Sequence, residues 1–369
     1  MAATTLICTV GTSLLTYVPQ LLGREEADLK RSGLQDEVLR SLLGRDPDDR
    51  LCGAEINSIL LIERRVAPAG RSVYFLHSET DQGGWTAEVL KRYYEAKRWY
   101  AETRLIKGLR DDKPGQFRSE GLRRLAREMA GIVRKHGPQL TIINATGGYK
   151  AQVAIAVLLG QAMGTTVYYK HERFNDIIDF PPMPVSFDFQ LWLRHSHLFF
   201  ALDRGDLVAY EDYRPAWEEA LEPLIQRVSI DGPYYLELTP VGQIFHERLK
   251  TDLPGVASLR PPAYPRPRPR VRLKDHDWRG QRARLEAWLN RLQTEKDYVG
   301  AITDAGFERT GRAGCRVMSD PVTGREFVRL RVPVADMWAD FRVEIAPAAP
   351  HQIRWAAADI ELWREQNPL

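Results

Sequence analysis

The chain of 369 residues predicts an α/β protein: a Rossmann-like parallel sheet covered by helices, followed by a small α+β module. Three observations predict it. Short apolar runs alternate with charged, helix-patterned stretches through the first half. Small polar turns with glycine fall directly after those runs, as at "INATGGYK". Near the end the period becomes two, with basic and apolar residues alternating in "REFVRLRVPV". At 44% hydrophobic and 27% charged, a chain this long can bury at least two cores. Its net charge of +3 is too small to imply a nucleic-acid partner by itself, so that case needs local clusters.

The predicted strands are 4–10 (TTLICTV), 72–78 (SVYFLHS), 103–108 (TRLIKG), 139–144 (QLTIIN) and 165–170 (TTVYYK). Helical patterns lie near 22–48, 52–65, 84–98 and 119–136. The apolar stretch 151–169 divides into a buried helix and a strand because Gly160, Gln161 and Gly164 interrupt it, so no membrane span is expected. Cys8, Cys52 and Cys315 are too far apart for a metal-ligand spacing, so no zinc site and a reducing, cytoplasmic setting are expected. The N-terminus lacks the basic segment of an export signal.

A boundary follows "DFPPMPVSFD". Helical patterns recur at 187–203 and 211–229, and "DGPYYLELTPVGQIFHERLK" reads as a short strand, a Thr-Pro helix start and an amphipathic helix. Residues 186–258 resemble a winged helix-turn-helix. Residues 259–273 alternate Pro and Arg, which favours an extended linker and sets several arginines in a row. From 274 to 369 come one or two helices and then alternating segments, "REFVRLRVPV", "FRVEIAP" and "HQIRWAA", expected as an antiparallel sheet. Arg329 and Arg331 would share one face of it, and Val328, Leu330 and Val332 the other.

The turn Thr146-Gly147-Gly148, between a strand and a helix that opens near Lys150, admits two readings. Its glycines serve close packing, or they let unpaired amides at a helix start approach a phosphate, with Lys150 adding charge. "GTSLL" places Thr12 and Ser13 at a second such turn, and "LHSETDQGG" places Ser78 and Thr80 at a third. Neither a Walker motif nor a GxGxxG fingerprint is present.

"VGTSLL", "GAEINSI" (53–59), "LHSET" (76–80), "INATGGYKA" (143–151) and "VYYKHERFNDIIDFPPMPV" (167–185) together resemble a CARF domain of the CRISPR-associated ring-nuclease-like branch, over residues 1–185. The resemblance implies a homodimer that binds cyclic oligoadenylate, tetra-adenylate being favoured, as its activator. It implies ligand contacts from Gly11, Thr12, Ser13, Ser78, Thr80, Asn144, Thr146, Gly147, Gly148 and Lys150, with Glu55 and Asn57 orienting ribose or adenine or else capping a helix. Ring-cleaving relatives use positions matching Ser13 and Lys150, so metal-independent ring cleavage is also implied, with the ring's own 2′-hydroxyl as nucleophile.

The C-terminal part is similar to RelE-type toxins, which cleave mRNA on the ribosome. The resemblance implies catalytic roles for Arg329, Arg331 and Arg342, with Arg316, Arg325 and His276 as further candidates. Arg354 or Arg364, and Trp355 or Trp363, would replace the toxin's last arginine and tyrosine. A HEPN nuclease fits less well: Arg270 and His276 have its spacing but sit at the linker, and "RHSH" at 194–197 does not. Two alternatives stay open: a ring nuclease without a second activity, or a cyclic-oligoadenylate-responsive transcription factor. The helix that would read DNA carries only Arg248 and Lys250 as clear cations.

Overall fold

The computed structural model describes residues 5–24, 30–66, 70–274 and 278–369. They form two compact units, one of residues 1–186 with 239–248, the other of 187–238 with 249–369.

The first unit runs β1 (Thr5–Thr9), α1 (Ser13–Leu22), α2 (Leu34–Leu43), α3 (Ala54–Val66), β2 (Ser72–Ser78), α4 (Asp81–Ala96), β3 (Tyr100–Ile106), a single turn α5 (Pro114–Gln116), α6 (Leu122–His136), β4 (Thr141–Asn144), α7 (Lys150–Met163), β5 (Val167–Lys170) and β6 (Ile177–Phe180). Its six strands lie in the order β3-β2-β1-β4-β5-β6. Pairings from β3 through β5 are parallel, and β6 runs antiparallel to β5. Every residue of β1 and of β4 is buried, as expected for strands covered on both faces. Leu6, Cys8, Val73 and Phe75 join Leu14, Val38, Ile56, Ile59 and Leu90 in one apolar cluster.

The chain moves from β1 outward through β2 and β3, then returns to the other side of β1 to form β4. Strand order therefore reverses between β1 and β4, and a crevice opens there beyond their carboxyl ends. Two expectations change. The helical pattern near 22–48 yields a helix only over 34–43 among the described residues. β6 lies in "NDIIDF", whose charged flanks hide a strand, and its register with β5 (Val167↔Phe180) is what reveals it.

The second unit begins with α8 (Phe189–Arg204), capped by Asp188, whose carboxylate accepts from the Leu191 amide at 2.8 Å. Then follow β7 (Val208–Ala209), α9 (Tyr210–Tyr213), β8 (Ile225–Ser229), β9 (Tyr234–Leu238) and α10 (Pro240–Asp252). The predicted helix over 211–229 does not form. Pro215 and Pro223 lack the amides it needs, so α9 stops after one turn and 225–229 pairs as a strand with β9. At the Thr-Pro start of α10 the Thr239 hydroxyl accepts from the Gly242 amide at 3.0 Å. The division between the units passes through α10.

Downstream lie α11 (Arg282–Glu295), β10 (Val299–Glu308), β11 (Gly314–Ser319), β12 (Glu326–Val334), β13 (Met337–Ile345) and α12 (Pro350–Gln366). The four strands form an antiparallel sheet in the order β10-β13-β12-β11. "HQIRWAA" is helix, not strand. Pro350 occupies the first turn, and Ile353, Ala356, Ala357, Ile360 and Trp363 recur at helical spacing as buried residues. Nor is the Pro/Arg segment a free rod. The Tyr264 amide donates to Asp297 O (2.8 Å), Gln293 donates to Pro269 O (2.8 Å), and the Arg272 amide donates to Ile302 O (2.9 Å).

Candidate functional site

In the first unit, the turns after β1 and β4 meet because those strands are neighbours. A cavity of about 480 Å³ lies between them, lined by Gly11, Thr12, Ser13, Asn57, Thr146, Gly147 and Gly148, with Arg50, Tyr17, Lys170 and Glu172 at its walls. Glu55 sits fully buried beneath it. Its carboxylate accepts from the Gly11 amide at 2.7 Å and, at 3.4 Å, from the Ser13 hydroxyl. Burial pushes the Glu55 carboxyl above the usual carboxylate range, against the pull of that amide. A methyl group on Gly147 would lie 2.2 Å from Glu55 Oε1 and 2.6 Å from Thr9 O, so close packing explains this glycine. The turn combines close packing with amides left unpaired. Gly147 is buried by packing, while the amides of Thr12, Gly147 and Gly148 have no hydrogen-bond partner among the described residues.

Several predicted ligand residues are engaged in holding this wall. The Ser13 hydroxyl accepts from the Ala54 amide (3.0 Å) at the start of α3. Asn57 donates to Pro47 O (2.7 Å) and Asp49 O (3.0 Å). Asn144 is buried. It donates to Ser58 Oγ (2.8 Å) and accepts from the Thr146 hydroxyl (2.7 Å), which itself accepts from the Lys170 amide (3.0 Å). Ser78 and Thr80 are not brought to the cavity: they bond each other at 2.8 Å, and Thr80 caps α4 through the Gly83 amide. Lys150 is exposed at the first residue of α7, outside the cavity lining. The cations on the walls are Lys170 and Arg50, which the sequence reading missed. Lys170 was findable as the last residue of a predicted strand, whereas nothing local marked Arg50.

In the second unit the apolar face predicted for β12 is buried: Val328, Leu330 and Val332 are at most 1% exposed. On the opposite face the register sets Arg316 of β11 against Arg329 of β12, and Arg329 against Arg342 of β13. These three arginines and Arg331 of β12 have different surroundings. Arg342 donates to Asp320 at 2.6 Å, lies over the Phe327 ring and lines a different cavity, with Arg325. Arg316 and Arg329 have no acidic partner among the described residues. Burial, then Arg329, lowers the Arg316 guanidinium from its usual value. Arg331 is gripped at both nitrogens by buried Asp340 (2.7 and 2.6 Å) and meets Glu308 at 2.8 Å, which raises its pKa.

Arg316, Arg329 and Arg331 line one cavity of about 390 Å³ with Arg312, Arg204, Asp212 and His197. Burial, then Arg316, holds the His197 imidazole down at about 3, so it is neutral near pH 7. Arg354 lines a neighbouring cavity of about 370 Å³ that shares Arg316 and His197. Arg364 bonds Glu361 at 2.6 Å, and the buried indoles of Trp355 and Trp363 donate to Leu253 O (3.1 Å) and Glu295 (2.6 Å). His276 lies outside the described residues. The sequence reading also missed Arg312 and His197. The latter lies over a hundred residues before the arginines, and only the packing of α8 beside β11 joins them.

Residues 50–183 match the model of a family described as CRISPR-associated protein (Cas_APE2256). No curated protein matches the chain. Among solved structures, Can2 from Sulfobacillus thermosulfidooxidans in complex with cyclic tetra-adenylate is similar at 8% identity and a TM-score of 0.24, over 89% of this chain and 74% of that one. Protein VC1899 from Vibrio cholerae is similar at 8% identity and a TM-score of 0.27, over 93% and 77%. Scores this low do not establish a shared fold.

Proposed function

We propose that the chain is an effector of type III CRISPR defence, switched by cyclic oligoadenylate, that cleaves mRNA on the ribosome. The observation that carries this reading is the cavity at the strand-order reversal: three unpartnered amides, Arg50 and Lys170 converge there, and most of its lining lies within the stretch matched by a CRISPR-associated family. Such a site favours phosphate oxygens, since amides and cations both stabilise negative charge. A ring of four nucleotides is too large for one 480 Å³ cavity, so the reading requires two copies facing each other across a two-fold axis. Lys150, exposed at the start of α7, would then reach the ring from the rim.

In the same reading residues 1–185 sense the ring, 186–258 form a winged-helix-like segment and 274–369 act as a RelE-like ribonuclease. Arg316 and Arg329, cationic and without carboxylate partners, suit the grip on a scissile phosphate. Ring cleavage in the sensor cavity would limit the duration of the response, with the ring's own 2′-hydroxyl attacking in line. A DNA-reading role has less support. Arg248 of α10 donates to Ala162 O at 2.8 Å, and Lys250 pairs with Asp203 at 3.2 Å, so both cations of that helix are engaged.

The test is mRNA cleavage in a translating-ribosome assay on addition of cyclic tri-, tetra- or hexa-adenylate. Cleavage that appears with one ring and disappears in Lys170→Ala supports the reading. Unchanged mRNA with every ring overturns it.

A further inference from the structure

The arginine cavity contains one group whose chemistry the sequence did not suggest. His197 projects from α8, yet it lines the same 390 Å³ cavity as Arg312, Arg316 and Arg329 from the β11–β12 side. Its neighbour two residues earlier behaves differently. His195 is locked, with one ring nitrogen 2.6 Å from the Tyr213 hydroxyl and the other 2.8 Å from Glu218. Neither nitrogen of His197 has a hydrogen-bond partner among the described residues, and its ring rests against Tyr213 at 5.7 Å. A structural histidine beside a sheet is ordinarily satisfied by a partner, as His195 is. An unpartnered imidazole facing unneutralised guanidinium groups is instead placed for a ligand that brings both anionic oxygens and a hydroxyl proton.

We propose that His197 is the general base of the second unit, acting on the ribose 2′-hydroxyl of an RNA whose phosphate is held by Arg316 and Arg329. This rests on the ribonuclease reading above. The 2′-oxygen attacks phosphorus and the O2′–P bond forms, while the P–O5′ bond breaks. His197 takes the 2′ proton, and the departing 5′ oxygen takes a proton from water. The products are a 2′,3′-cyclic phosphate and a 5′-hydroxyl, and His197 returns its proton to solvent. The groups facing His197 are Arg316 from β11, His195 from its own helix, Glu361 from α12 and Tyr213 from α9. Burial, then Arg316, keeps the imidazole neutral and therefore able to accept. A bound phosphate offsets that cationic field and raises the proton affinity of the imidazole, which makes it a stronger base.

The experiment uses the full chain with its activating ring, translating ribosomes and a defined mRNA under single-turnover conditions. His197→Ala and the size-preserving His197→Gln should each slow cleavage by about 10²–10⁴-fold. Both should flatten the acidic limb of the pH–rate profile, while affinity for a 2′-deoxy analogue of the RNA stays within about twofold, as expected of a group that moves a proton rather than binds. Arg316→Ala should weaken that affinity. Wild-type rate and pH profile in His197→Gln overturn the inference and leave the ribonuclease reading standing. Loss of rate in proportion to loss of affinity overturns it as well, since His197 would then only bind. Absence of cleavage by the wild-type chain removes the ribonuclease reading and the inference with it.

Discussion

Gly147→Ala tests the architecture of the sensor cavity. The added methyl group would lie 2.2 Å from Glu55 Oε1, 2.6 Å from Thr9 O and 2.8 Å from Gly11 N. Two of these atoms are backbone in and just after a fully buried strand, so they cannot retreat. The third belongs to a carboxylate that is itself buried and holds the Gly11 amide at 2.7 Å. Either Glu55 swings aside and leaves that amide unpaired, or the 146–148 turn lifts and breaks the 2.6 Å bond from the Thr9 hydroxyl to Gly147 O. Overpacking costs about 1–3 kcal/mol and an unsatisfied buried donor about 1–3, so destabilisation of about 2–6 kcal/mol is expected. Urea denaturation of the first unit, followed by its tryptophan fluorescence, gives that difference. Gly131→Ala in α6 is the control: its methyl group meets nothing within 4 Å and should stabilise by about 0.5–1 kcal/mol. Gly147→Ala unfolding within about 0.5 kcal/mol of wild type would refute the packing argument.

The two arginines predicted side by side on β12 should separate in their effects. Arg331→Ala strands buried Asp340 and should cost about 3–5 kcal/mol in urea denaturation, while Arg329→Ala, with no carboxylate partner to lose, should stay within about 1 kcal/mol and lose cleavage instead. Titration with cyclic tetra-adenylate should weaken at least tenfold in Lys170→Ala, and less in Lys150→Ala if the rim position is right. His197 titrates at about 3 in the folded unit against an ordinary 6.5, so between those values the unfolded chain holds a proton that the folded one lacks. Stability should therefore fall as pH drops from 6.5 toward 3, by at most about 1.4 kcal/mol per pH unit from this group. His197→Gln should remove that part of the slope, and equal slopes for variant and wild type would contradict the burial of the imidazole.

Part of this was legible along the chain. Period-two and 3.6-period patterning located the strands and helices of the parallel sheet, because burial on a strand or helix face is a local, repeating property. The turn at 146–148 announced itself through its glycines, whose conformational freedom is written in the residue type. By the same logic Val328, Leu330 and Val332 were placed on the buried face of β12 and Arg329 on the other. Proline positions could have warned against a helix at 211–229, since Pro215 and Pro223 remove amides that a helix needs.

Tertiary structure decided which charges are free. Arg329, Arg331 and Arg342 look alike in sequence, yet Asp340 and Glu308 neutralise one, Asp320 holds another, and only Arg329 remains open beside Arg316. Lys150 stands nearer the glycine turn along the chain, but Lys170 reaches the cavity wall because β5 ends beside β4. His197 meets the arginines only where α8 packs beside β11. The physical reason is the same in each case. Conformation and burial pattern are set within a few residues of chain, whereas the state of a charge is set by whatever lies within a few ångströms, and those neighbours come from any distance along the sequence.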